Sequence, residues 1–301
     1  VGRARELVLY PLSFGDVARD RVGGLMTTSD DLPQLQRLYG ADLARLFDDC
    51  AVWGTYPSVT TEPSLAKRHD ELLQIYQSYV LRDVSQYLRL QNTGVFNDLV
   101  TLLASMVGSQ AQWETLARTV KSSSPTIREY VDILEDTFVC KRILPFTGNV
   151  VGSIRKMPKI YFVDSGLRNS ALADHGDLRS RPDRGHLVEQ VVFQELCKLL
   201  APTDRLYYWR TYAGAHEVDF VIARRTSLLP IKVKDSSFRS PAIPEGMLEF
   251  SGQVMPRGGI VLNRDYVGAA KTGSTDIRFL PMALALARPD ILGGILADAL
   301  R

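Results

Sequence analysis

Apolar positions in the first half of this chain recur at helical spacing, and in the second half they gather into short runs. Residues 6–10 form one such run, read as a strand ended by Pro11, and Ser13 offers an N-cap for a helix from Phe14. Residues 31–98 are helical in pattern. Leu43, Leu46 and Phe47 recur at i, i+3, i+4, and after a turn at 54–57 one stripe joins Leu72, Leu73, Tyr76, Tyr79, Val80, Val84 and Tyr87. Three helices follow: 99–106, closed by Gly108; 113–120; and one opened by Ser124 as N-cap with Pro125 after it, carrying Ile127, Val131 and Leu134. Strands at 139–146 and 159–163 flank a loop. From Gly185 the expected order is a helix at 187–200, strands at 205–210, 217–223 and 228–234, a helix at 245–250, strands at 259–262 and 277–280, and a terminal helix. The fold class is mixed α/β (α+β), and three helices before a two-stranded wing is the order of a winged helix.

With 301 residues there is room for two domains, and 45% hydrophobic with 23% charged residues is a soluble globular balance. Lys and Arg number 36 against 34 Asp and Glu, so any affinity for nucleic acid must come from a local patch. Cys50, Cys140 and Cys197 form no C-x-x-C pair, which points to a reduced, cytoplasmic protein without a zinc site or disulfide framework. The most apolar stretch, 280–287, stops at Arg288 and is too short to span a bilayer. An opening inside a strand suggests that a domain precedes Val1.

Five spaced motifs carry a resemblance. G-R-A-R-E-L-V-L-Y-P-L-S-F (2–14) resembles the end of an AAA-type ATPase domain. Y-Q-S-Y-V-L-R-D-V (76–84), K-I-Y-F-V-D-S-G-L (159–167), L-V-E-Q-V-V-F-Q-E-L (187–196) and W-R-T-Y-A-G-A-H-E-V-D-F-V-I (209–222), continued by L-P-I-K-V-K (229–234), resemble the uncharacterised region that follows it. The family implied is that of bacterial and archaeal P-loop ATPases whose last domain is similar to the restriction-endonuclease-like PD-(D/E)xK fold. The resemblance implies the end of an ATPase domain and a helical connector (1–97), a winged helix (98–170), a nuclease-like mixed sheet with flanking helices (171–283) and a C-terminal helix (284–301). ATP and Mg²⁺ belong to the family's upstream ATPase core. A phosphate cradle needs a glycine-rich loop whose N–H groups wrap the phosphates, and G-A-A-K-T-G-S (268–274) lacks the spacing, reading as a polar loop. No cofactor is therefore expected in this chain itself.

Metal-dependent phosphodiester cleavage needs carboxylates to fix Mg²⁺ or Mn²⁺ and a lysine to polarise water or phosphate. Against the nuclease pattern, Glu189 fits the helix position, Asp219 the strand position and Lys234 the lysine, but Lys232 stands where an acid is wanted. Strand alternation sets Glu217 and Asp219 on one face, with Val218 and Phe220 on the other. A four-residue hairpin loop at 224–227 pairs Ala223 with Leu228, Asp219 with Lys232, and Glu217 with Lys234. At ~4 Å and an effective dielectric of about 20, a unit charge pair is worth ~4 kcal/mol, twice that for a divalent ion. Lys232 thus argues against metal, while Glu217, beside Asp219, is the substitute ligand should the site be a nuclease. The other readings are a salt-bridged ladder and a phosphate-binding surface that includes Arg224 and Arg225.

The third helix of the winged-helix segment carries Glu129, Asp132, Glu135 and Asp136 and suits a major groove poorly. Lys141, Arg142, Arg155, Lys156 and Lys159, with no acid among them, form the candidate phosphate-contacting patch of the wing. His69, His175, His186 and His216 lack metal-ligand spacing, Asp164-Ser165-Gly166 reads as a turn, and Arg82 and Asp83 as separate helix-surface contacts. Three functions stay open: a nucleic-acid- or partner-binding region of an AAA-type ATPase, a divalent-metal nuclease, and an assembly module without ligand. The partners expected are DNA, the protein's own ATPase domain and further copies of itself, and no membrane.

Overall fold

Capping chemistry starts the first helix where the sequence places it. In the computed structural model, which describes residues 8–23, 30–84, 92–148, 152–153, 156–212 and 214–300, Ser13 and Asp16 close a reciprocal capping box on α1 (Phe14–Arg21). Residues 6 and 7 of the expected first strand lie outside the described residues, and 8–10 are not in a strand. Helix α2 (Leu32–Trp53) has Asp31 as N-cap and ends at Gly54, whose φ of 72° is left-handed. Leu35, Leu43, Phe47 and Cys50 are its buried stripe. Helices α3 (Pro57–Thr61) and α4 (Leu65–Ile75) follow, and the chain continues from α4 into a π-helical segment, Tyr76–Val84. That wider winding aligns residues four apart, so Tyr76, Val80 and Val84 still share the buried face. Tyr87 lies outside the described residues.

Helices α5 (Thr93–Ser105), α6 (Trp113–Thr119) and α7 (Ser124–Asp136) follow the expected order, except that Ser123 rather than Ser124 caps α7. Strands β1 (Cys140–Pro145) and β2 (Lys159–Phe162) pair antiparallel. The segment read as a turn at Asp164 is helix α8 (Ser165–Ala171), with Asp164 as its N-cap. A short 3₁₀ turn (Leu178–Ser180) then leads into α9 (Arg184–Leu199).

Next come strands β3 (Arg205–Arg210), β4 (Glu217–Arg224) and β5 (Ser227–Val233), helix α10 (Glu245–Val254), and strands β6 (Gly258–Asn263), β7 (Gly268–Thr272) and β8 (Thr275–Pro281). Two helices end the chain, α11 (Met282–Ala287) and α12 (Pro289–Ala299), where a single one was expected. The stretch read as the polar loop G-A-A-K-T is β7, which pairs with β8 around a turn at Gly273. Its small side chains gave no apolar signal.

The eight strands among the described residues form one mixed sheet in the order β2-β1-β3-β4-β5-β6-β8-β7. The β1–β2 hairpin, read as a wing, is thus the edge of the same sheet, joined to β3 by parallel pairing of Leu144 with Tyr207 and Pro145 with Tyr208. One continuous core runs from Phe14 to Leu300 and holds most of the helices against one face; a smaller core around Trp209, Val221, Phe279 and Phe250 of α10 lies on the other. Among the described residues no helix is long and apolar enough to cross a membrane.

The β4–β5 hairpin has the expected register, Ala223 opposite Leu228, but its loop is shorter. Arg224 pairs with Ser227, leaving two residues in the turn, of which Arg225 takes a φ of 53°. Strict alternation along β4 fails at one point. Tyr207 of β3 faces Val221 and Trp209 faces Val218, so β4 carries an extra residue, a β-bulge. Val218 therefore packs in the smaller core and Phe220 in the larger, not on a common face.

Candidate functional site

The bulge bears on the chemistry because it lies between Asp219 and Phe220, at the centre of the acidic positions. Phe220 stacks toward Tyr161 and Phe193, and Asp219 is 2% exposed beside Lys232. The ammonium of Lys232 donates to Asp219 Oδ1 at 2.6 Å, and the backbone N–H of Val233 donates to Oδ2 at 2.7 Å. Both carboxylate oxygens of Asp219 are thereby engaged.

The remaining acids converge on a residue from another part of the chain. Lys159, the first residue of β2, is 3% exposed and reaches Glu217 Oε1 at 2.5 Å and Glu189 Oε1 at 3.2 Å. Its ammonium lies 5.5 Å from the centre of the Tyr208 ring, a further favourable contact for a cation. Tyr161, also on β2, donates its hydroxyl to the same Glu189 oxygen. Burial works against the Lys159 ammonium, but Glu189, Glu217 and Asp219 outweigh it and raise its pKa above the usual lysine range. Burial likewise pushes the Glu189 carboxyl upward, partly offset by Lys159.

Three carboxylates and two ammoniums thus form one internally paired cluster. A divalent ion needs carboxylate oxygens free to face it. Here Oε1 of Glu189 and of Glu217 and both oxygens of Asp219 face Lys159 Nζ, Lys232 Nζ, the Tyr161 hydroxyl and the Val233 N–H, while Glu217 Oε2 lies 3.9 Å from Arg210. Among the described residues no three His, Cys, Asp or Glu side chains converge to hold a metal ion. In this arrangement the acids are turned toward ammoniums rather than toward an open position for Mg²⁺ or Mn²⁺. The ladder pairs of β4 and β5 run from Phe220–Ile231 to Arg224–Ser227, so Glu217 and Lys234 lie beyond them, and the Glu217 carboxylate is paired with Lys159 instead. Lys234 lies one residue past the end of β5, exposed, and among the described residues its ammonium has no hydrogen-bond or ion-pair partner. It lines a cavity of about 570 Å³ with Lys232, His216 and Glu217.

The residues expected to contact phosphate are dispersed. Lys159 is consumed by the acid cluster and cannot reach a surface phosphate from its buried position. Arg142 bonds Asp132 and Glu135 of α7 at 2.7 and 2.6 Å. Lys141 and Lys156 are exposed, and Arg155 lies outside the described residues. The signal that set Lys159 apart was present in its strand: every residue of β2 is buried, so a lysine heading that apolar run needs acidic partners. Arg224 is paired with Asp204 at 2.8 Å.

Other candidates take structural roles. Ser165 Oγ donates to the Cys50 carbonyl, and Asp164 accepts from the N–H groups of Thr55 and Leu167. His216 lies 3.4 Å from Glu245. No spacing rule links His69 to His175, yet their rings are 5.3 Å apart and His175 stacks on Trp53 at 5.0 Å. Burial, with His69 and Arg181 nearby, lowers His175 to about 4. A histidine depressed in the fold binds fewer protons than the unfolded chain, so stability should fall as pH drops from 6.5 toward 4. His175→Phe should flatten that limb in urea melts at stepped pH; an unchanged slope would mean that the ring stays protonatable in the fold.

Residues 44–177 match a family described as a domain of unknown function (DUF8612), and residues 184–283 match a second one (DUF4143). Lys159 falls in the first match, and Glu189, Glu217 and Asp219 fall in the second. The chain is similar to uncharacterised proteins of Mycobacterium tuberculosis and Mycobacterium bovis, 34% identical over 149 residues, covering 49% of this chain and 33% of each relative. An uncharacterised protein of Haemophilus influenzae is 24% identical over 237 residues, covering 77% of this chain and 53% of the relative. The chain therefore spans between a third and about half the length of these curated relatives, and it joins two matched domains of unknown function through one shared charge cluster.

Proposed function

We propose that this chain is a non-catalytic partner-binding region serving an AAA-type P-loop ATPase, with a nuclease-like sheet whose metal position is held by lysine. The observation that carries the reading is Lys159, seated between Glu189 and Glu217 while Lys232 occupies Asp219. An ammonium offers one charge and no open coordination position, so it neutralises the acids without activating water. The ATPase connection rests on the five motifs.

Protein partners are favoured over nucleic acid because the expected basic patch is partly spent internally, on Lys159 and Arg142. The 301-residue chain should show no saturable Mn²⁺ binding by calorimetry and no Mn²⁺-dependent cleavage of linear or supercoiled DNA. Cleavage lost on Asp219→Ala would overturn the reading. The nucleic-acid alternative rests on exposed Lys141 and Lys156. It predicts a DNA affinity whose salt slope flattens by about 2 in the Lys141→Ala/Lys156→Ala double variant.

A further inference from the structure

Parallel strands in an open α/β sheet present their carboxyl ends together, and the crevice there is where such sheets hold small molecules. Strands β5, β6 and β8 are parallel, and the segments that follow them meet in one cavity of about 580 Å³. Asp235 follows β5, Arg264 follows β6 and Met282 follows β8, while α2 closes the opposite wall. We propose that this cavity binds a small organic oxyanion, its phosphate or carboxylate held by Arg179, Arg184 and Arg264 and its apolar body seated between α2 and Met282.

The three guanidiniums come from separate elements: the 3₁₀ turn, the first residue of α9 and the loop after β6. The protein leaves each of them with donors to spare. Arg264 donates to Asp235 through Nε at 2.8 Å, and Arg179 donates to Asp48 through Nε at 3.3 Å. Arg184 uses Nε and Nη2 on Asp235, with Nη2 also 3.7 Å from Asp48. Among the described residues, both Nη groups of Arg179 and Arg264 and Nη1 of Arg184 have no acceptor. Asp48 and Asp235 hold the forks through some of their donors while leaving other N–H groups for a ligand, so an anion here would be held by directed hydrogen bonds rather than by a surplus of positive charge. Asp265, also lining the cavity, accepts from Ser237 at 2.6 Å, and with it the three carboxylates balance the three guanidiniums. An arginine fork matches an oxyanion with two parallel hydrogen bonds, which a lysine does not.

The shape supports the same ligand. Gly40, Ala41, Ala44 and Phe47 lie on one face of α2, so its wall is small and apolar where the rest of the helix is bulkier. Opposite them stands Met282, a side chain that adapts to an irregular apolar partner. A volume of about 580 Å³ is in the range of small-molecule pockets. Its walls share no residue with the Lys159 cluster, so this site is independent of the function proposed above.

Calorimetry on the full chain with naphthyl phosphate, naphthoate and naphthol tests the site, since the three share a ring and differ in charge. Both anions should bind saturably and naphthol at least tenfold more weakly; the tighter of the two anions identifies the preferred group. Arg264→Met should weaken the anions about tenfold while Arg184 still neutralises Asp235 and keeps the fold. Ala44→Trp, at an exposed helix position, should abolish binding by filling the cavity without changing charge. Equal binding of naphthol, no saturable binding of either anion, or unchanged affinity in both variants would each overturn the proposal.

Discussion

Lys159→Met should destabilise the protein by about 3–5 kcal/mol, the loss expected when one partner of a buried ion pair is removed and the other stays behind. Methionine fills the space of the lysine stem, so the effect isolates the ammonium. Glu189 and Glu217 would then share the region with Asp219, leaving Lys232 on Asp219 and Arg210, 3.9 Å from Glu217, as the remaining cations. The sign of the pH response is a second readout. Acids whose folded pKa is raised bind more protons in the native state, so their contribution is lost as pH rises through the folded value. The variant should therefore lose more stability than wild type as pH rises above the usual carboxylate range, where the raised Glu189 carboxyl releases its proton. Mn²⁺ should restore part of the loss in the variant alone, by about 2.7 kcal/mol at a hundredfold excess over its dissociation constant. A loss under 1 kcal/mol with no response to metal would mean that Lys159 is a peripheral charge and that the acids are paired elsewhere.

Arg168→Met should cost a similar amount, about 3–5 kcal/mol, for a purely structural reason. Arg168 is 1% exposed, donates through Nε to the Ala104 carbonyl at 2.7 Å, and pairs with Asp183 at 2.6 Å. It ties α8 to α5 and to the loop ahead of α9. Burial pushes the Asp183 carboxyl up, but hydrogen bonds from Arg181 and Arg168 outweigh it and hold the group at about 2. A depressed carboxyl contributes stability that is present above its unfolded value and lost as pH falls from 3.8 toward 2. In the variant Arg181 remains, so this acid limb should shrink without disappearing. An acid limb identical to wild type would assign Asp183 to Arg181 alone.

What the sequence made legible follows the reach of its signals. The register that brings Lys232 to Asp219 depends on period-two alternation across a short turn, and it survives even though the loop has two residues instead of four. The bulge does not follow from alternation, because it answers to the pairing of β4 with β3, and so the separation of Val218 from Phe220 was hidden. Lys159 lies 30 residues from Glu189 and 58 from Glu217, beyond any local pattern, and its neighbours Lys156 and Arg155 made it look like part of a basic loop. Helix α8 was misread for the opposite reason. Its serines, glycine and arginine lack an apolar stripe, yet nearly all of it is buried, with Gly166 against the backbone of Trp53 at the end of α2. The cavity bounded by Arg179, Arg184 and Arg264 joins residues from both halves of the chain, and no spacing rule links them.

Lys159 also bears on modularity. The stretch 184–283 matches a family of its own, yet two of its acids, Glu189 and Glu217, take their ammonium from outside it, on β2. Excised at that boundary, the stretch would carry Glu189 and Glu217 with no ammonium between them, an electrostatically incomplete unit. Swapping it into another protein would transplant the deficit along with the fold. Removing the cation from one segment while keeping the acids in the other would leave carboxylates without their ammonium, so the two stretches are energetically coupled at these positions. The border between the two matched families is a seam in sequence and a closed circuit in charge.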